Sequence, residues 1–552
     1  MAAIADTGAV TILDDASLNT IVAQARTDFL AQRSGPQPGL TRLDITILLP
    51  NPDGTWRRGS FNPINVAYPA STVKLGFLAA AMNWCRTNSH PYNFLDADVY
   101  PMIKDSDNIA TGRVVDAITG APNDQNIRKS TDAAFITWNA KRLYTENYLS
   151  GRGLLENQRL YNKTYPSNSG PGLTGAESVG LSAHGSNQMQ PKCAASLMLE
   201  IQKGFLEPGA QSYMKSLLTH NRWDGNSVCG HGIPPGSVYQ NKWGQASGTE
   251  EDIAYVVLPN GKEFILAMYS NGYEAAQPYP YDQSILSNVS ELLIERLGLD
   301  AGDPPKIKID NGGAGFSTAG TWASGAGSTE AFGGSYLTSS GGTGSNTATY
   351  SLNVPEAGRY EVCAWFTQGT NRATDAPYTV NSNSGATTVR VNQQVAGGRW
   401  VRLGDFDFNA GAGSVVLSNQ VTDNTKVVVA DAVKATKWFN PPTSQVTHVN
   451  SIAMSKGSVT AGKSTYSFGL ATVTVKDASG ALVPGCNVKC TWTGVAADFQ
   501  SATTDATGTA RFQGPYTSSR GTSTFNTTDL IKENCTYNAA ANVASSGSIA
   551  LP

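Results

Sequence analysis

Residues 68–83 read YPASTVKLGFLAAAMN: a Tyr-Pro-Ala lead-in, a Ser-x-x-Lys spacing, then an apolar run. The run keeps helical spacing from Ser71 to Asn83, which predicts a helix with Ser71 in its first turn. Positions three apart share a helix face, so the Lys74 amine can reach the Ser71 hydroxyl. A serine hydroxyl is a weak nucleophile near neutral pH. An amine whose proton affinity is lowered by burial and by other cations can take its proton. The positive end of the helix adds a favourable field at the reacting oxygen. Alone, Ser-x-x-Lys is a common accident, and Ser71 reads equally well as an ordinary N-cap.

Two further motifs change that balance. Ser106-Asp107-Asn108 lies in IKDSDNIATGRVV, and Lys242-Trp243-Gly244 opens a strand ahead of IAYVVLPNGKEFILAMYS, two strands joined around Asn260-Gly261. Helical patterns run from Asp15 to Gln32, Lys192 to Gly204 and Gln283 to Leu297, and LDITILLP and TWRRGSF flank a turn at Asn51-Pro-Asp-Gly54. The result is an α+β arrangement of antiparallel sheet and helices. The order S-x-x-K, S-D-N, K-x-G within that arrangement resembles the penicillin-recognising serine hydrolases, and S-D-N resembles their class A β-lactamases. The resemblance covers about residues 10–300.

That resemblance implies a role for each matching position. Ser71 would be the acylated nucleophile and Lys74 its base or proton relay. Ser106 would pass the proton to the leaving group, and Asn108 would hold the substrate amide or ester. Lys242 would supply positive charge beside Ser106. The backbone N–H groups of Ser71 and Gln245 would form the oxyanion hole, each such donor being worth roughly 3–4 kcal/mol. Tyr68, Trp243 and Gly244 would line the substrate site.

The chain also departs from the family pattern. Trp243 stands where Thr or Ser is usual, and strand alternation puts it on the face opposite Lys242 and Gly244, as a packed strand tryptophan. Related esterases carry Trp in the corresponding motif, which leans towards ester cleavage. The family's E-x-x-L-N loop, source of the deacylation base, is absent. Glu156 in ENQRLYN and Glu177 in GAESVG are the candidates, neither at the right spacing. His231, in CGHGIPPG, reads as a structural histidine.

Asp303-Pro-Pro305 and Phe439-Asn-Pro-Pro-Thr-Ser444 read as linkers, dividing the chain into residues 1–302, 306–438 and 445–552. Both later segments show short strands between Gly-rich turns, so the expected class is multidomain: an α+β serine β-lactamase-like domain followed by two all-β sandwiches. Through DNGGAGFSTAGTW, GRYEVCAWF and VVVADAVKAT, the second segment resembles the golvesin or xanthan-lyase carbohydrate-binding-like domain. This implies a polysaccharide or cell-wall glycan partner, with Trp322, Trp365, Tyr378 and Trp400 as stacking candidates. Alternation around Trp365 and Trp400 favours the sandwich core for those two. The third segment resembles a bacterial Ig-like domain through TVTVKDASGALVPGCNVKCTWTG and TTDATGTARF.

Composition narrows the class. Charged residues are 15% of the 552 and the net charge is −3, against about a quarter charged in an average globular chain. With no long basic run, neither nucleic acid nor an anionic membrane is an expected partner. No stretch approaches the roughly 20 apolar residues of a membrane span. The opening Met-Ala-Ala-Ile-Ala-Asp carries no secretory signal, yet composition and the appended modules favour an extracellular or periplasmic protein. Seven cysteines include no C-x-x-C pair and the five histidines are scattered, so no metal or cofactor is expected. Cys193–Cys229 and Cys490–Cys535 are candidate disulfides, with connectivity left open. The leading expectation is a secreted serine acyl hydrolase acting on a small or polymer-borne ester or amide. The alternatives are a true β-lactamase or D-Ala-D-Ala-type peptidase, and a non-catalytic cell-wall or glycan-binding protein.

Overall fold

Apolar runs at residues 42–50 and 249–271 make the middle of the first sheet. In the computed structural model, residues 10–31, 40–156, 158–163, 174–204, 208–223, 227–246, 248–272, 286–439, 445–461, 464–532 and 535–552 are described. Strands β1 (Ile12–Asp14), β2 (Arg42–Pro50), β3 (Trp56–Phe61), β4 (Val238–Ala246), β5 (Thr249–Val257) and β6 (Glu263–Asn271) lie in the order β1-β3-β2-β6-β5-β4. All neighbours are antiparallel except β1 and β3. Strands β2, β5 and β6 are covered on both faces, which is why they read as continuous rather than alternating apolar stretches.

The first five helices are α1 (Ala16–Ala31), α2 (Lys74–Thr87), α3 (Asp96–Lys104), α4 (Asn108–Thr119) and α5 (Ala133–Arg142). Then come α6 (Tyr144–Ser150), α7 (Gly175–His184), α8 (Pro191–Leu199), α9 (Pro208–Leu218) and α10 (Ser287–Arg296). Helices α1 and α10 cover one face of the sheet around Val22, Phe29, Val289 and Leu293. The other face packs on α2, α3, α4, α8 and α9 around Phe77, Met102, Val114, Leu197 and Met214. This is the expected α+β arrangement, with two local differences. The helix read from Ser71 begins as a 3₁₀ turn, Ala70–Val73, and becomes α-helical only at Lys74. The Thr72 hydroxyl donates to the Pro69 carbonyl at 2.6 Å and Ala70 sits at φ 40°, which together tighten that turn. The helix read over Lys192–Gly204 widens into a π turn at Glu200–Gly204.

Among the described residues, both later segments are built of strands joined by turns and short 3₁₀ segments. Gly385–Val391, Ala376–Ser382, Ser414–Ser418, Thr347–Ser351 and Phe316–Ala319 form a five-stranded sheet. It shares a core with a four-stranded sheet of Val401–Phe408, Gly358–Trp365, Ala432–Lys437 and Lys306–Asp310. Beyond residue 445 two four-stranded sheets close over Val473, Val488, Trp492 and Phe525.

The three segments meet at a buried seam. On α10, the Glu291 carboxylate accepts from Trp400 Nε1 at 2.8 Å and pairs with Lys434 and Lys308 at 3.1 Å each. Glu361 accepts from Arg222 Nη2 at 2.7 Å and Trp223 Nε1 at 2.5 Å. Trp223, Cys363, Trp365, Trp400 and Ala432 pack there with Phe332 and Ile531, and Asn221 Nδ2 donates to the Ile531 carbonyl at 3.3 Å. Trp365 and Trp400 are therefore buried as expected, but against the first segment rather than in the sandwich core. Tyr378 is buried inside the sandwich, leaving Trp322 the partly exposed member of the four stacking candidates. His231 stacks on Trp223 with centroids 4.4 Å apart, and burial beside Arg222 holds it neutral. All seven cysteines are free thiols, so neither candidate disulfide is present. Cys193 sits on α8 beside Gln158, while Cys229 packs in the core on the opposite face of the first sheet. Cys490 and Cys535 belong to different sheets.

Removing one member of a buried ion pair costs about 3–5 kcal/mol. Glu361→Ala should lower the free energy of urea unfolding by that amount, seen as a lower midpoint, and removing residues 305–552 should lower the melting temperature of the first segment by exposing Trp223 and Glu291.

Candidate active site

The 3₁₀ turn decides the first contact. In such a turn side chains at i and i+3 eclipse, so the fully buried Lys74 brings Nζ to 3.0 Å from Ser71 Oγ. The same amine lies 3.0 Å from Ser106 Oγ and 2.8 Å from Asn108 Oδ1, and donates to the Ser106 carbonyl. Asp107 is the N-cap of α4, its carboxylate accepting the Ala110 N–H at 2.7 Å. Capping fixes the start of α4, and Ser106 turns into the site at φ 55°, a left-handed conformation rare outside glycine.

Strand β4 supplies the opposite wall. Lys242, fully buried, donates from Nζ to Ser106 Oγ at 3.0 Å and to the Trp243 carbonyl at 3.0 Å. Gly244 is a close-approach position: a Cβ there would lie 2.9 Å from the Ser71 nitrogen and 3.0 Å from both the Pro69 oxygen and the Thr72 nitrogen. Gln245 follows on the strand with its side chain donating to Glu250 at 2.9 Å. Burial, reinforced by the Lys242 charge and opposed only by Asp107, pushes the Lys74 amine well below the usual lysine range. Burial, with Lys104 and Lys242 nearby, likewise holds His220 neutral.

Ser71, Lys74, Ser106, Asn108, Lys242 and Gly244 thus come together. Tyr68 stands exposed just before the turn. Trp243 packs against the core beneath α1 and α10, as alternation requires, with the Lys242 amine 4.8 Å from its ring centroid. Glu156 is largely exposed and pairs with Lys192 at 2.5 Å. Glu177 is buried by α5 and α7, paired with Arg142 and, at 3.3 Å, with Lys163. Neither carboxylate hydrogen-bonds Ser71 or Lys74 among the described residues. Sequence reasoning passed over Glu251, buried on β5 opposite Gly244. The signal was present in three consecutive acids, Glu250-Glu251-Asp252, on an otherwise apolar strand.

Golvesin of Dictyostelium discoideum is 38% identical to this chain over 405 residues, covering 72% of this chain and 69% of that protein. The chain belongs to the golvesin family. Residues 307–437 match the family model of the golvesin C-terminal domain, and residues 96–297 match the model described as the beta-lactamase enzyme family. The second match starts beyond Ser71 and Lys74, so their turn lies ahead of the matched stretch. A xanthan lyase of Bacillus sp. (strain GL1) is 36% identical over 142 residues, 25% of this chain and 15% of that enzyme. Among solved structures, a beta-lactamase from Sphaerobacter thermophilus covers 52% of this chain and 98% of its own, at 17% identity and a TM-score of 0.35. The family-model match over residues 96–297, not that likeness, gives the first segment its β-lactamase-like fold.

Gly244→Ala should push the Ser71 amide off its position, since backbone rather than a flexible side chain meets the new methyl. Displacements of this size cost up to about a hundredfold in rate. The expected outcome is acylation of Ser71 slowed by about 10- to 100-fold, with circular dichroism unchanged.

Proposed function

We propose that the chain is a serine acyl hydrolase that cleaves an ester or amide through an acyl-enzyme on Ser71. The observation that carries this reading is the Lys74 amine, buried from water, depressed in proton affinity and 3.0 Å from Ser71 Oγ. In its neutral form it takes the Ser71 proton as Oγ bonds to the substrate carbonyl carbon. Electrons shift onto the carbonyl oxygen, which the Ser71 and Gln245 backbone N–H groups receive. The tetrahedral species then expels its alcohol or amine, and the proton travels from Lys74 through Ser106 Oγ to that leaving group. Lys242, on the far side of Ser106, keeps the hydroxyl oriented for this relay.

Release of the acyl group needs an activated water. Because Glu156 and Glu177 are engaged with cations elsewhere, the acyl-enzyme is expected to be long-lived on substrates that demand a dedicated base. This favours an ester with a good leaving group over rapid β-lactam turnover, in keeping with Trp243 in the third motif. The first sandwich, through its golvesin match and the chain's likeness to part of a xanthan lyase, supports a polysaccharide-facing role, and with it an extracellular or periplasmic site of action.

Treatment with a fluorophosphonate or a labelled penicillin, followed by peptide mass spectrometry, should give an adduct on Ser71 that disappears in Ser71→Ala. Labelling at another residue, or none with either reagent, rejects the proposal. Lys74→Ala should slow labelling by about 10²- to 10⁴-fold. In the unaltered chain the labelling rate should climb with pH as Lys74 loses its proton, at a pH well under that of a free lysine. A nitrocefin burst of one equivalent, rather than sustained turnover, would mark the slow-release behaviour.

A further inference from the structure

Glu250, Glu251 and Asp252 on β5 face the Trp243–Gln245 stretch of β4 across the ladder. Two of the three have plain structural duties. Asp252 accepts from the Cys229 N–H at 3.0 Å, Tyr239 OH at 2.5 Å and Asn241 Nδ2 at 2.8 Å. Glu250 accepts from Gln245 Nε2 at 2.9 Å. Glu251 is fully buried, and among the described residues neither of its carboxyl oxygens has a hydrogen-bond partner. A buried polar group in that condition is expensive.

Register fixes where this carboxyl lies. Glu251 pairs with Gly244 on β4 and with Tyr269 on β6, and paired residues of antiparallel strands project from the same face. On that face the Gly244 position meets the Ser71 and Thr72 nitrogens, and the Tyr269 hydroxyl is 3.2 Å from Thr72 Oγ1. Glu251 stands between these two contacts, against the underside of the nucleophile turn. The titratable or charged groups facing it are Arg42 and Asp44 from β2, Tyr269 from β6 and Lys242 two residues along β4. The 3₁₀ turn contributes none. Arg42 already binds Asp44 and the Val66 carbonyl. Its attraction for Glu251 is outweighed by burial, which raises the Glu251 carboxyl well above the usual range.

We propose that Glu251 is a positioning residue whose neutral carboxyl group fills the space behind the Ser71–Thr72 turn, between the Gly244 and Tyr269 contacts, and that a negative charge placed there shuts off acylation. The inference rests on the Ser71 acyl-enzyme reading. Its physical basis is that the Ser71 N–H must face a developing oxyanion. A carboxylate buried behind that donor would repel the oxyanion and pull on the same amide dipole, with little water to screen either effect. An effect of about 10- to 100-fold in rate is the expected scale.

The test follows fluorophosphonate labelling of Ser71 in the full-length chain from about pH 6 to about pH 10. The unaltered chain should rise as Lys74 deprotonates and then fall on an alkaline limb. Glu251→Gln, which keeps the shape and cannot ionise, should lose that limb, its high-to-neutral pH rate ratio exceeding that of the unaltered chain by at least about tenfold. Glu251→Ala, which empties the space, should label more slowly than Glu251→Gln throughout. Melting curves give a second readout. A carboxyl raised in the folded state loses stability as pH climbs above its unfolded value, so the melting advantage of Glu251→Gln should widen from about pH 5 upward. The same alkaline limb in Glu251→Gln, a Gln variant no faster than the Ala variant, or a melting difference flat with pH each overturns the proposal while leaving Ser71 acylation intact. Failure of the unaltered chain to label at any pH overturns the Ser71 reading itself, and this inference with it.

Discussion

A lysine amine stripped of water and set near a second lysine is the constraint around which the first segment is arranged. Lys74 is answered by neutral oxygens of Ser71, Ser106 and Asn108 rather than by a carboxylate, so its charge is only partly compensated. Holding those oxygens in place needs backbone conformations that a free chain would avoid, at Ala70 and Ser106, each costing about 1–3 kcal/mol. The apolar body of α2, with Leu75, Phe77, Leu78 and Met82 buried in the larger core, is what offsets that cost. Stability is held in the helix and strain sits at its leading end, a division common at sites that must be ready before substrate arrives.

Much of the fold was legible because its signals are local. Asn260-Gly261 marks a hairpin, Asp107 caps α4, and Ser71 and Lys74 are three residues apart, so short-range geometry alone brings their side chains together. The 3₁₀ form of the Ala70–Val73 turn was not legible, since it follows from a hydroxyl-to-carbonyl bond between Thr72 and Pro69 that helix periodicity does not register. Glu251 was missed for a different reason. Its meaning comes from pairing with Gly244 and Tyr269, and strand register across three segments of chain is not written in any one of them.

The seam shows the same divide between what a pattern says and what it leaves open. Alternation around Trp365 and Trp400 says that a face is covered, but not by what. The covering partner proved to be Trp223 and the end of α10, chosen by Glu291 and Glu361, two acids that look ordinary in the sequence. Both carboxylates are multiply bonded inside an aromatic cluster, the setting in which buried charges favour one docking geometry over its neighbours.

Such a joint transmits force. Where a flexible tether would let each module swing and absorb a pull by straightening, Glu291 and Glu361 tie the first sandwich to α10 and to the loop bearing Trp223, and α10 is packed on the sheet that carries Lys242. A pull on the first sandwich would run along that path into the sheet that carries Lys242.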